Sequence, residues 1–257
     1  MPTATNDSVS LFYERDGDGD PIVFVSEAGL GGWSWGWQHA ALTGPYETVV
    51  WDLRGTGRSD APPGPCSLEA HVSDLEAVLE ACDIRRAHLV GCGLGAAIAL
   101  EAARTTSRAR SLALFGAAAD GEAMDLEPLF APPDDRDALA DSLEAGLSDD
   151  FRESHPDVCE GIVDWRADGD ADRAGWETQV APLEDFDATD WLVEITQPAL
   201  VVHGTADDLV PVDAGQSLAR DLPRGEFHPL EGAGHLAFVE RSRPVNDLLD
   251  GFLEAIE

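Results

Sequence analysis

Short apolar runs and amphipathic stretches alternate along the first half of the chain. Residues 9–15 alternate apolar and polar side chains, the period of a half-exposed strand, and run into Asp16-Gly17-Asp18-Gly19, which reads as a hairpin-like turn. Residues 21–26 form an apolar run that predicts a buried strand. Residues 33–42 predict a helix and 48–53 the next strand. Ser67 stands where an N-cap belongs, ahead of Leu68, Val72, Leu75, Val78 and Leu79 at helical spacing with acids between them. A strand over 87–91, a helix over 94–104 and a strand over 111–116 follow. This alternation predicts an α/β fold with a mostly parallel central sheet flanked by crossover helices.

From residue 117 to 195 the strand signals stop. Acid-rich helical pieces are broken by Pro128, Pro132, Pro133, Pro156 and Pro182, and carry Trp165, Trp176 and Trp191. The stretch reads as a helical cap, 117–195, inserted between two parts of one core, 1–116 and 196–257. The core pattern resumes with a strand over 199–203, a helix over 212–222, a strand over 226–230 and a final helix over 244–256.

Charge narrows the range of partners. The 257 residues carry 50 Asp and Glu against 16 basic residues, all of them Arg, for a net charge of −34. The acids are dispersed along the chain. Such a surface repels nucleic acid and anionic membranes, so neither is an expected partner. Dispersed acidity without lysine resembles proteins of salt-accumulating halophilic archaea, where salt screens the self-repulsion. Cys66, Cys82, Cys92 and Cys159 form no C-x-x-C pair and no ligand spacing with histidine, so reduced thiols and no metal are expected. No basic segment leads into an apolar run at the N-terminus, and no apolar run approaches bilayer length. A cytoplasmic monomer or homodimer acting on a small molecule is the expectation.

Four local patterns then stand in order. They are Trp51-Asp52-Leu53-Arg54-Gly55-Thr56-Gly57-Arg58-Ser59, Gly91-Cys92-Gly93-Leu94-Gly95, the segment from His203 through Asp207 and Asp208 to Pro211, and Gly232-Ala233-Gly234-His235. Together they resemble the α/β-hydrolase superfamily, in which a G-x-S-x-G elbow, an acid loop and a histidine loop occur in this order. The resemblance implies Asp207 as the triad acid, with Asp208 as the adjacent alternative, and His235 as the base. It also implies that no organic cofactor is needed. Residues 25–35, Val25-Ser26-Glu27-Ala28-Gly29-Leu30-Gly31-Gly32-Trp33-Ser34-Trp35, resemble the oxyanion segment of hydroxynitrile lyases and plant esterases. That alignment implies main-chain N–H groups of Ala28 and Leu94 as oxyanion donors. It makes Glu27, Trp33 and Trp35 candidates for contact with substrate.

One position departs from the family pattern. The elbow residue that should carry the nucleophile is Gly93, which leaves the nucleophile position vacant. Cys92 is a candidate replacement, although a residue one step before the elbow is expected to point elsewhere. Ser26 and Ser34 have no evident base. Glu27 either points away from the oxyanion position or belongs to a changed chemistry. Three readings follow. The first is an enzyme on a small ester, lactone or other carbonyl compound, acting through the His235–Asp207 pair, with a cofactor-free lyase or oxygenase as a variant. The second is a non-catalytic binder of small ligands. The third is a hydrolase with Cys92 or a displaced serine as nucleophile.

Overall fold

The computed structural model describes residues 2–256, so the outermost residue of each core range lies outside it. Eight strands form one sheet: β1 (Thr3–Asn6), β2 (Val9–Asp16), β3 (Asp20–Val25), β4 (Tyr46–Trp51), β5 (Ala87–Cys92), β6 (Ala109–Phe115), β7 (Ala199–Gly204) and β8 (Gly225–Leu230). Their spatial order is β1-β2-β4-β3-β5-β6-β7-β8. β1 and β2 run antiparallel at one edge, and all pairings from β4 to β8 are parallel. Strands β4, β5 and β7 are buried along their whole length. Burial on both faces explains why β5 and β7 read as largely apolar runs without alternation.

The first helices are α1 (Gly36–Leu42), α2 (Leu68–Ala81) and α3 (Leu94–Thr105). Ser67 caps α2 by accepting a hydrogen bond from the Ala70 N–H. Helix α3 is rich in Ala and Leu because it packs against β5 on one side and α2 on the other, leaving almost no exposed face. Between β6 and β7 lie α4 (Arg136–Gly146), α5 (Asp149–Ser154), α6 (Pro156–Gly169) and α7 (Arg173–Val180), with short 3-10 turns before α4 and after α7. The chain closes with α8 (Val212–Asp221), α9 (Ala237–Glu240) and α10 (Ser242–Glu254). Among the described residues no helix is long and apolar enough to cross a membrane.

Three elements differ from expectation. The turn at 16–19 does not make a hairpin, because β4 lies between β2 and β3 and pairs with both. The two-sided apolar β3 belongs inside the sheet, whereas the half-exposed β2 suits its margin. Strand β1, four residues with three polar side chains, is too short to show a period. The helix expected over 33–42 is split into a 3-10 turn, Gly32–Trp35, and α1.

Candidate active site

The candidate residues gather at the carboxyl ends of the parallel strands, the usual place for a site in a sheet of this kind. Glu27 follows β3, Cys92 ends β5, Gly93 joins β5 to α3, Asp207 follows β7, and His235 lies in the loop after β8. Gly93 has φ 48° and ψ −108°, a strained left-handed turn that glycine adopts at little cost. Gly116, with φ 47°, follows β6. A Cβ there would come within 2.6 Å of His235 Cε1, so this glycine gives the imidazole its place.

Asp207 holds His235. Its Oδ1 accepts hydrogen bonds from the N–H groups of Leu209 and Val210, both at 2.9 Å. Its Oδ2 lies 2.9 Å from His235 Nδ1 and 3.2 Å from His203 Nε2. Asp207 is buried and Asp208 exposed, so the partner of His235 is Asp207. Burial opposes a charge on Asp207, but the facing His235, helped by His203, holds its pKa well below the usual carboxylate range. Burial likewise opposes a charge on His235. Asp207, with a smaller contribution from Cys92, outweighs it and raises the histidine well above its ordinary value.

The other side of the imidazole meets Glu27. His235 Nε2 lies 2.9 Å from Glu27 Oε2. Glu27 Oε1 accepts from the N–H of Ala28 at 2.5 Å and from the N–H of Leu94 at 3.0 Å. The two donors implied as the oxyanion hole therefore converge on one point, and Glu27 occupies it. Leu94 opens α3, whose N-terminal partial charge favours an anion there. A Cβ on Gly93 would land on Glu27 Oε2. The Glu27 carboxylate thus fills both the hole and the space a nucleophilic side chain would need. Glu27 and His235 are each 1% exposed, so the site is enclosed.

Cys92 does not point elsewhere. Its Sγ lies 3.7 Å from His235 Nε2 and 4.0 Å from Glu27 Oε2. Burial pushes the thiol up to about 11, against a smaller opposing pull from His235. Cys92, Glu27 and His235 are the group of possible metal ligands that the fold assembles among the described residues, with their donor atoms within 4.8 Å of one another. Sequence spacing hides this set, because Glu27 and His235 lie 65 and 143 residues from Cys92.

The tryptophans have other partners. Trp35 is fully buried and stacks on Phe238 at 4.1 Å, with Phe24 and Phe115 beside it. Trp33 donates its ring N–H to Asp170 at 2.8 Å and lies against Trp165. Ser26 and Ser34 are buried, with hydroxyls 3.5 Å apart.

Several positioning residues had no sequence signal. Gln179 of α7 accepts from the Gly29 N–H and donates to Arg54 O and Thr56 Oγ1, which pins the loop that carries Glu27. Asp170 accepts from the Gly31 N–H and is paired with buried Arg166 at 2.7 Å. Glu240 accepts from the Gly234 N–H and from Ser148, tying the histidine loop to the segment between α4 and α5. All three act on main-chain groups that no local pattern links to them.

Comparison with known proteins agrees with the fold. A model described as the alpha/beta hydrolase family matches residues 22–248. A non-heme chloroperoxidase of Streptomyces lividans is 30% identical over 275 residues, covering 98% of both chains. The 3-oxoadipate enol-lactonase 1 of Acinetobacter baylyi is 26% identical over 92% of this chain and 89% of its own. The crystal structure of an enol-lactonase from Burkholderia xenovorans superimposes with a TM-score of 0.88 at 27% identity, covering 98% of this chain and all of the other.

Proposed function

Because the chain belongs to the alpha/beta hydrolase family, we propose that it hydrolyses a small ester, lactone or related carbonyl compound, with water in place of a side-chain nucleophile. One observation carries this reading. The Ala28 and Leu94 amides hold one oxygen of a carboxylate while His235 Nε2 holds the other. A carboxylic acid released by acyl hydrolysis would sit in the same way. Glu27 is, on this reading, an internal mimic of the product.

In the reaction the substrate carbonyl oxygen takes the place of Glu27 Oε1, and Glu27 withdraws from the hole. A water takes the place of Oε2 beside Gly93. His235, in its neutral form, accepts a proton from that water as the oxygen attacks the carbonyl carbon. Asp207 stabilises the resulting imidazolium, and the two amides stabilise the tetrahedral oxyanion. Collapse breaks the bond to the leaving alkoxide, which takes the proton from His235. The helical stretch 117–195 is assigned as the cap over this site. The substrate is a small molecule, the working medium is rich in salt, and the compartment is the cytoplasm.

Enclosure of the site favours one second reading, a catalytically silent relative sealed by Glu27. Glu27→Ala separates the two. A rise in turnover that also needs His235 supports the hydrolase, and a folded variant without turnover supports the silent relative.

A further inference from the structure

We propose that Cys92, His235 and Glu27 form a binding site for one divalent metal ion of the zinc class. The proposal is independent of the hydrolytic reading.

Geometry is the first argument. Zinc bonds of about 2.3 Å to thiolate and about 2.0–2.2 Å to imidazole and carboxylate place tetrahedral donors about 3.3–3.6 Å apart. Here Cys92 Sγ and His235 Nε2 are 3.7 Å apart, Cys92 Sγ and Glu27 Oε2 4.0 Å, and Nε2 and Oε2 2.9 Å. Two edges of this triangle close slightly around an ion. The third, now at hydrogen-bond length, opens when the ion replaces the shared proton.

The surroundings are the second argument. A metal-binding histidine ordinarily directs its other ring N–H to a carboxylate, and a ligating carboxylate is itself hydrogen-bonded. His235 has Asp207 on Nδ1, and Asp207 has two main-chain donors of its own. Glu27 has two main-chain donors on the oxygen that does not face the ion. Each ligand sits on a different element of the core and is at most 1% exposed, so the set is preorganised. A bare ion also suits ligands as fully enclosed as these.

The donor types supply the third argument. Thiolate, imidazole and carboxylate together suit zinc or cobalt and disfavour magnesium and calcium. A side chain at 93 would expel Glu27 from the set, so Gly93 is a condition of it. Cys92, which the hydrolytic mechanism leaves unused, gains a role. Uptake displaces the Cys92 thiol proton and the His235 Nε2 proton. It also ties up the base and locks Glu27 in the hole, so the loaded chain is inactive by the water mechanism.

The test is refolding of the full chain with cobalt(II) in multimolar KCl, read by absorption spectroscopy and by metal content. The expected result is one cobalt per chain, tetrahedral visible bands and a thiolate-to-cobalt band in the near ultraviolet. Cys92→Ala abolishes the thiolate band, Glu27→Gln weakens affinity by removing a charged ligand, and Asp207→Asn weakens it about 10–100-fold. Variants of Cys66, Cys82 and Cys159 leave the spectrum unchanged. Folded wild type without a thiolate band at saturating cobalt overturns the proposal, as does a band that survives Cys92→Ala. Circular dichroism establishes folding for each variant. The readout is spectral, so loss of the hydrolytic reading leaves it intact.

Discussion

Glu27 and Gly93 are a matched pair: the carboxylate of one lies in the volume that a side chain on the other would fill. Neither residue is interpretable alone. A serine restored at 93 without change at 27 would collide with a carboxylate held by three hydrogen bonds.

This coupling predicts a non-additive pair of substitutions. Gly93→Ser alone overpacks the site, costs about 1–3 kcal/mol and gives no serine-type activity. Glu27→Gly with Gly93→Ser frees the hole and places a hydroxyl beside His235. The double variant then reacts covalently with an organophosphonate probe through the hydroxyl introduced at position 93. Intact-mass measurement after labelling checks both. Labelling of the single variant at the same rate as the double would refute the coupling.

Assignment of the acid is tested separately. Asp207→Asn leaves His235 without the group that fixes its tautomer and offsets its charge, and should cost about 10³–10⁴-fold in kcat. Asp208→Asn, at an exposed position, should leave activity essentially at the wild-type level. Steady-state assays of the two variants, with circular dichroism as the fold control, decide it.

The adjacency of Asp207 and Asp208 also marks what the chain makes legible. The parallel sheet follows from apolar runs at β3, β5 and β7, and Asp207 with His235 follows from loop patterns in the right order. The orientation of Glu27 could not be read, because it depends on the empty space at Gly93 and on two amides 1 and 67 residues away. The approach of Cys92 to His235 joins residues 143 apart in the chain, which no local pattern signals. Trp35 stands in a segment that resembles a binding loop, yet its ring is enclosed by Phe24, Phe115 and Phe238. Two of those three rings come from distant parts of the chain, at the end of β6 and in α9.

Stability should fall on the acid side of neutrality. Burial pushes His71 down to about 3 and His88 down to about 4, with smaller contributions from Arg54 and Arg110. Both are neutral in the folded chain, while the unfolded chain protonates them near pH 6.5. From about pH 6.5 down towards 4 the unfolded state binds protons that the native state refuses, so each costs up to about 1.4 kcal/mol per pH unit. Asp207 works in a different window. Its folded pKa is depressed, so its contribution is present above the ordinary carboxylate value and is lost only below it. His235 has the opposite sign. Its contribution is complete below pH 6.5 and is lost as pH rises through its elevated folded value. Both ring nitrogens of His71 lack partners, so His71→Phe should flatten the acid slope with little loss at neutral pH. Thermal melts from neutral pH down to about 4.5 at constant KCl measure this.

Salt should stabilise the fold. A net charge of −34 on 257 residues repels itself, and screening shortens the range of that repulsion from about 10 Å at 0.1 M to about 3 Å at 1 M. Tm should rise steadily with KCl, by about 2–4 °C for each kcal/mol of repulsion removed. A Tm that stays flat from dilute buffer to multimolar KCl would mean that the acidic surface is not adapted to salt.

The most direct measurement is turnover of small lactones and activated esters in multimolar KCl by the wild type, Glu27→Ala, and Glu27→Ala combined with His235→Ala. If Glu27 fills the hole as a product mimic, Glu27→Ala raises kcat/KM at least about tenfold, the equivalent of about 1.4 kcal/mol. The double variant then falls to background. A folded Glu27→Ala variant no more active than the double variant would contradict the account.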